Sequence, residues 1–135
     1  MTILQIASAL IELGAGLAFL CCPLATTTLL AGAPLEGAAA LTVARVCGAG
    51  LLSLGVDCWL ARGDTQSRAA RGLIAAMLLY DVAVAALLVF AAIGWGLHGM
   101  ALWPAVVLHG LMSVWCVACL RRSPTPLPTE GHWLK

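Results

Sequence analysis

Four long apolar runs, separated by short polar or glycine-rich breaks, account for most of the chain. Their lengths predict helices over residues 3–22, 38–61, 69–93 and 101–120. The run over 38–62 sets the scale for the others. Its roughly 25 residues make about 37 Å of helix, enough to cross a hydrocarbon core of ~30 Å with some tilt. Trp59 stands near its end, where an indole suits the headgroup level, and Arg62 follows it into water. Arg45, Gly48 and Gly55 follow at steps of three and seven, which places them on one face. Small residues let a second helix approach closely. This face is therefore predicted to be the buried seam of a bundle, with Arg45 directed into it. Asp57 falls about 120° away and is expected to meet Arg62 or water.

The breaks carry their own signals. Pro23 ends or kinks the first helix. Residues 24–33 then either continue that helix past a kink or lie as a short helical turn in the interface. Gly32, Pro34 and Gly37 mark the connection to the second helix. The link over 62–71 is the most polar internal stretch. Gly94, Gly96 and Gly99 loosen the chain before the fourth helix, with Trp95 and Trp103 beside them as interface anchors. Pro104 is tolerated in a first turn, where its missing N–H has no intrahelical partner, and Arg121 and Arg122 end the last helix. Three alternate prolines over 124–128 predict an extended, disordered tail. The expected organisation is all-α: a four-helix transmembrane domain over 1–122 and a Pro-rich tail over 123–135.

Composition and charge narrow the class. The 135 residues are 62% hydrophobic and 10% charged, against about 25% charged in soluble domains, so the expected partner of the surface is a lipid bilayer. A formal net charge of +1 offers no basic field for nucleic acid. The first run is a poor signal peptide: no Lys or Arg precedes it, and Glu12 interrupts it. Bulky Leu20 precedes Cys21 where a lipoprotein cleavage site needs a small residue, so the run is expected to stay as a helix. With four crossings, the N-terminus, the central link and the tail share one side. That side holds Arg62, Arg68, Arg71, Arg121, Arg122 and Lys135, and the positive-inside rule makes it cytoplasmic.

Four ionisable groups interrupt the apolar runs, one per helix: Glu12, Arg45, Asp81 and His109. Counted from the outer helix ends, each lies roughly 9–18 Å deep at ~1.5 Å per residue. A charge at the bilayer centre costs ~3 kcal/mol or more, so such groups are expected to face inward and pair. In one reading they fix helix register: Arg45 satisfies Glu12 or Asp81, and the other carboxylate meets His109 or Tyr80. In the other, Glu12, Arg45, Tyr80, Asp81 and His109 form a proton-titratable or anion-binding site, with Arg45 able to grip an anionic head by two prongs. Ser8, Glu12 and Gly16, spaced by four, share a face of the first helix.

Six cysteines raise the question of metal. Cys21 and Cys22, just before Pro23, resemble the vicinal cysteines in the first helix of bacterial mercuric-ion transport proteins. That resemblance implies transfer of a soft metal to Cys116 and Cys119, with Cys58. The competing reading is that these cysteines are small apolar residues in packed seams. A C-x-x-C without a second pair or a spaced histidine pair is not a zinc signature, and disulfide formation is confined to the outer-facing Cys21 and Cys22. His98 and His132 are expected to be solvated. His109 alone does not make a haem site, so no cofactor is expected.

A Glu in the first helix, Pro23, LLAGAPL, ARVCGAGLLSLGVDCWLAR, AMLLYDVAVAALL and LWPAVVLHGLMSVW together resemble small uncharacterised four-helix bacterial membrane proteins of the domain-of-unknown-function kind. The architecture is more loosely similar to DoxX-like proteins. The resemblance implies a bacterial inner-membrane location and four helices, and transfers no catalytic residue. The expected function is non-enzymatic: an accessory or oligomeric bundle that binds or passes a small solute or proton at the polar layer, alone, as a homo-oligomer or with other membrane proteins. Gly14, Gly16, Gly48 and Gly55 offer the close-packing faces. The alternative is a soft-metal carrier using Cys21, Cys22, Cys116 and Cys119.

Overall fold

A computed structural model describes residues 1–64 and 67–122, all helix and connection. The Pro-rich tail over 123–135, with His132 and Lys135, lies outside the described residues. Five helices follow in order: α1 (Thr2–Cys21), α2 (Pro23–Ala31), α3 (Gly37–Ala61), α4 (Arg68–Gly94) and α5 (Leu102–Arg122). All except α2 are long and apolar enough to cross a membrane. They match the four predicted runs to within two residues at each end.

The ambiguous stretch after Pro23 is a separate helix. Pro23 has no N–H to continue the α1 ladder, and Cys22 leaves helical geometry at φ −131°. The carbonyl of Ala18 accepts from the Cys22 N–H at 2.9 Å and from the Thr26 hydroxyl at 3.0 Å, so α2 is tied back across the break. Thr26, Thr27 and Thr28 each also donate to a carbonyl four residues back, at 2.8–2.9 Å. Their polarity is thereby absorbed by the backbone, which suits an apolar or interfacial setting. Gly32 ends α2 in the left-handed region at φ 79°, a conformation that favours glycine. The Ala101 N–H donates to the Leu29 carbonyl at 2.8 Å, fixing α2 against the entry to α5.

Two antiparallel hairpins form the bundle: α1 packs mainly on α3, and α4 on α5. Backbone contact makes the first. A Cβ on Gly16 would lie 2.8 Å from the Gly48 carbonyl oxygen and the Leu52 nitrogen, and one on Gly48 would lie 2.8 Å from the Gly16 carbonyl oxygen. A Cβ on Gly55 would meet the Leu13 backbone nitrogen at 2.9 Å. Gly48 and Gly55 thus line a buried seam, as their spacing predicted. Gly14 faces open space and takes no part. A core of Leu4, Ala9, Cys58, Ile74, Met77, Met112, Cys116 and Cys119 joins the hairpins toward the end where α1 starts and α5 stops. Arg62, Arg68, Arg71, Arg121 and Arg122 gather at this same end. Arg62 there donates to the Trp59 carbonyl and stacks its guanidinium 4.1 Å from the Trp59 ring, leaving Asp57 exposed instead of paired with it.

Polarity is inverted relative to a water-soluble bundle. Leu79 and Val114 are 71% and 68% exposed, whereas Glu12 and Asp81 are 2% and 1% exposed. An apolar outside around a polar inside is the arrangement a hydrocarbon solvent selects.

Gly48→Ala or Gly16→Ala should destabilise the protein by about 1–3 kcal/mol through overpacking against backbone. Gly14→Ala should be neutral or slightly stabilising, because the added methyl meets nothing and helix propensity rises by ~1 kcal/mol. Denaturant unfolding in detergent micelles reads both. Equal effects at positions 14 and 48 would contradict the seam.

Candidate functional site

The polar centre is built from one face of α1 and the facing surfaces of α4 and α5. On α1, Gln5, Ser8 and Glu12 are all buried, at steps of three and four that stack them on one stripe. Glu12 lies near the middle of α1, and Asp81 stands midway between Arg68 and Gly94 in α4. Both carboxylates therefore sit near the middle of their helices.

Asp81 and His109 are in direct contact. His109 Nδ1 and Asp81 Oδ1 are hydrogen-bonded at 2.8 Å, with Nδ1–H donating when Asp81 is ionised, between side chains 12% and 2% exposed. This bond leaves Nε2 as the second, free nitrogen of the ring. The Tyr80 ring meets His109 edge-on, with centroids 5.6 Å apart, and its hydroxyl lies near the Glu12 carboxyl. Consecutive residues of α4 thus serve two partners, Tyr80 reaching toward α1 and Asp81 toward α5. Four of the five expected site residues, Glu12, Tyr80, Asp81 and His109, converge.

Arg45 does not join them. It is exposed, and no ion pair ties it to Glu12 or Asp81. The reason lies in α1. The seam opposite Gly48 and Gly55 is formed by residues 13–20, and α1 stops at Cys21. Arg45, almost one turn beyond Gly48, faces the break between α1 and α2 instead of a helix wall. There it lines an open groove of about 320 Å³ with Cys21, Cys22, Pro23, Leu24, Ala25 and Leu41. The expectation that Arg45 points into the bundle and neutralises a carboxylate is corrected accordingly.

Gln5 is the site residue that sequence reasoning missed. Its spacing to Ser8 and Glu12 carried the signal, since three polar residues on one stripe of an apolar helix mark an inward face. Both side-chain polar atoms of Gln5, the Ser8 hydroxyl, Glu12 Oε2 and Asp81 Oδ2 are buried with no protein hydrogen-bond partner. These unpartnered atoms form a file along α1 from near the arginine-rich end to the carboxylates at mid-span.

The cysteines form no common set. None of the six is in a disulfide. Cys116, Cys119 and Cys58 pack with Leu4 near the start of α1, whereas Cys21 and Cys22 lie at its other end, about 25 Å away by helix rise. Among the described residues no group of three His, Cys, Asp or Glu side chains is arranged to hold a metal ion. His98 is exposed, as expected, and its Nδ1 bonds the Gly96 carbonyl.

No protein-family model, curated protein or solved structure matches the chain.

A double-mutant cycle on Asp81→Asn and His109→Gln should give a coupling energy of about 1–3 kcal/mol, as for residues in direct contact. Unfolding in micelles supplies the four stabilities. Additivity within ~0.5 kcal/mol would mean the two side chains do not interact in the folded protein.

Proposed function

We propose that this protein is a multi-pass bundle of the bacterial inner membrane that binds and passes protons through the centre formed by Glu12, Tyr80, Asp81 and His109. The observation that carries this reading is the charge inventory at mid-span. Two carboxylates are buried together, and the arginine that could have neutralised them faces outward. Placing unbalanced charge there is costly, so protons are the counter-charges at hand. His109 offers a ring that takes and gives a proton at opposite nitrogens, one already bonded to Asp81. The unpartnered file of Gln5 and Ser8 supports access from the arginine-rich end. Buried polar atoms of this kind are ordinarily satisfied by water, and a short water file would relay protons to Glu12.

The arginines at one end favour an orientation with the N-terminus, the 62–67 link and the end of α5 in the cytoplasm. An α-helical, lipid-facing surface suits an inner membrane, since outer-membrane proteins of bacteria are typically barrels. No nucleophile–base pair for covalent chemistry is assembled at the centre, and the reading is non-enzymatic. Gly16, Gly48 and Gly55 are occupied within the chain, so self-association would use other faces.

Reconstituted into liposomes with an entrapped pH-sensitive dye and a potassium-diffusion potential, the wild-type chain should carry protons. Asp81→Asn and Glu12→Gln should fall to the level of empty liposomes, while Asp57→Asn, exposed on α3, should retain flux. Wild-type flux no greater than that of empty liposomes would overturn the proposal and leave the centre as a register-fixing contact.

A further inference from the structure

We propose that the groove between the α1–α2 break and α3 binds the phosphate-type anionic head of a membrane lipid, with Arg45 as its principal contact. This site is separate from the polar centre and does not depend on the proton reading.

Arg45 stands eight residues into α3, among side chains that face lipid. Val43 and Val46 on either side of it are 69% and 66% exposed. A guanidinium is always charged, and in an apolar setting it needs a counter-charge. The protein supplies none: no acidic side chain lines the groove, and no ion pair engages Arg45 among the described residues. The other arginines of the described residues sit at or beyond the opposite ends of the spans, where water serves them. Arg45 is the exception in position.

The groove beside it has the shape and polarity for a lipid head. Its volume of about 320 Å³ accepts a phosphate and part of its glycerol, and Leu24 and Leu41 provide apolar wall. The first turn of α2 forms the opposite side. Helix α2 has Pro23 at its start, no side-chain cap and no acidic residue in its first turn. The first bond of its ladder is Thr26 N–H to the Cys22 carbonyl, so the N–H groups of Leu24 and Ala25 precede it without an intrahelical acceptor. Uncapped N–H groups at a helix start add partial positive charge. A planar guanidinium on one wall and a helix start on the other are complementary to a phosphate that accepts two parallel bonds from arginine. The groove opens beside lipid-facing side chains, which favours a lipid over a soluble anion as the source of that head.

The test uses the full chain purified in phosphatidylcholine nanodiscs and titrated with phosphatidylglycerol, with retained lipid counted by native mass spectrometry. Wild-type protein should retain phosphatidylglycerol over phosphatidylcholine. Arg45→Gln should weaken that retention at least about tenfold, the effect of losing a charge-assisted hydrogen bond, and Arg45→Lys should weaken it less. Leu41→Trp, which fills the groove and leaves the charge in place, should also reduce retention and covers the case in which Arg45→Gln fails to fold. An equal loss in Arg62→Gln would show a diffuse charge effect and overturn the site. Unchanged retention in both Arg45→Gln and Leu41→Trp would overturn it too. Displacement of the lipid by millimolar inorganic phosphate, with phosphate binding in its absence, would assign the groove to a soluble anion and overturn the lipid proposal.

Discussion

In hydrocarbon, burying leucine gains nothing over leaving it in contact with lipid, so helices must be held by something else. Here the first hairpin is held by backbone contact. Gly16 and Gly48 bring α1 and α3 so close that neither could carry a methyl group without a clash. That contact fixes which face of α1 remains for the second hairpin, and this is the stripe bearing Gln5, Ser8 and Glu12. The polar centre therefore depends on the glycine seam: loosening it would turn or tilt Glu12 relative to Tyr80 and Asp81. The second hairpin has a different fastening, the Asp81–His109 bond at mid-span, where a donor–acceptor contact has little competition from water.

The four long helices were legible because a candidate membrane span has a length and a composition that sequence displays directly. Gly48 and Gly55 were legible as a seam for a similar reason, as small residues at helical spacing on an apolar helix have few other uses. The break at Pro23 was legible, and a short helix after it was one of two open readings, but the choice between them was not legible. Formation of that helix rests on Thr26 returning to Ala18 across the break and on the Leu29 carbonyl meeting Ala101 N–H, contacts between segments that no local pattern encodes. Gly14 lies on another face of α1. It is as small as Gly16, but two residues turn it about 200° around the helix, away from α3.

Arg45 is the instructive failure. The rule that charged residues within a span face inward and pair placed it beside Glu12 and Asp81. The rule holds where a neighbouring helix continues past the charge, and α1 does not: it ends at Cys21, opposite the turn that carries Arg45. Helix ends are where sequence reading is least certain, and the environment of Arg45 is decided by one. Glu12, Tyr80, Asp81 and His109 lie near one another, and all four stand well inside their helices, where position along the helix and inward direction suffice to place them.

The resulting separation of charge has a consequence for how the molecule can work. With Arg45 inside, the carboxylates would be locked in a salt bridge, and a buried pair of that kind resists any change in charge because breaking it strands both ions. With Arg45 outside, the buried carboxylates have a phenol and an imidazole near them instead of a permanent cation. The fixed positive charge is placed at the α1–α2 break, nearer the end of the bundle opposite the arginine cluster. A bundle organised this way separates the fixed charge of Arg45 from the buried carboxylates, so the seam of Gly16, Gly48 and Gly55 does not depend on an ion pair between them.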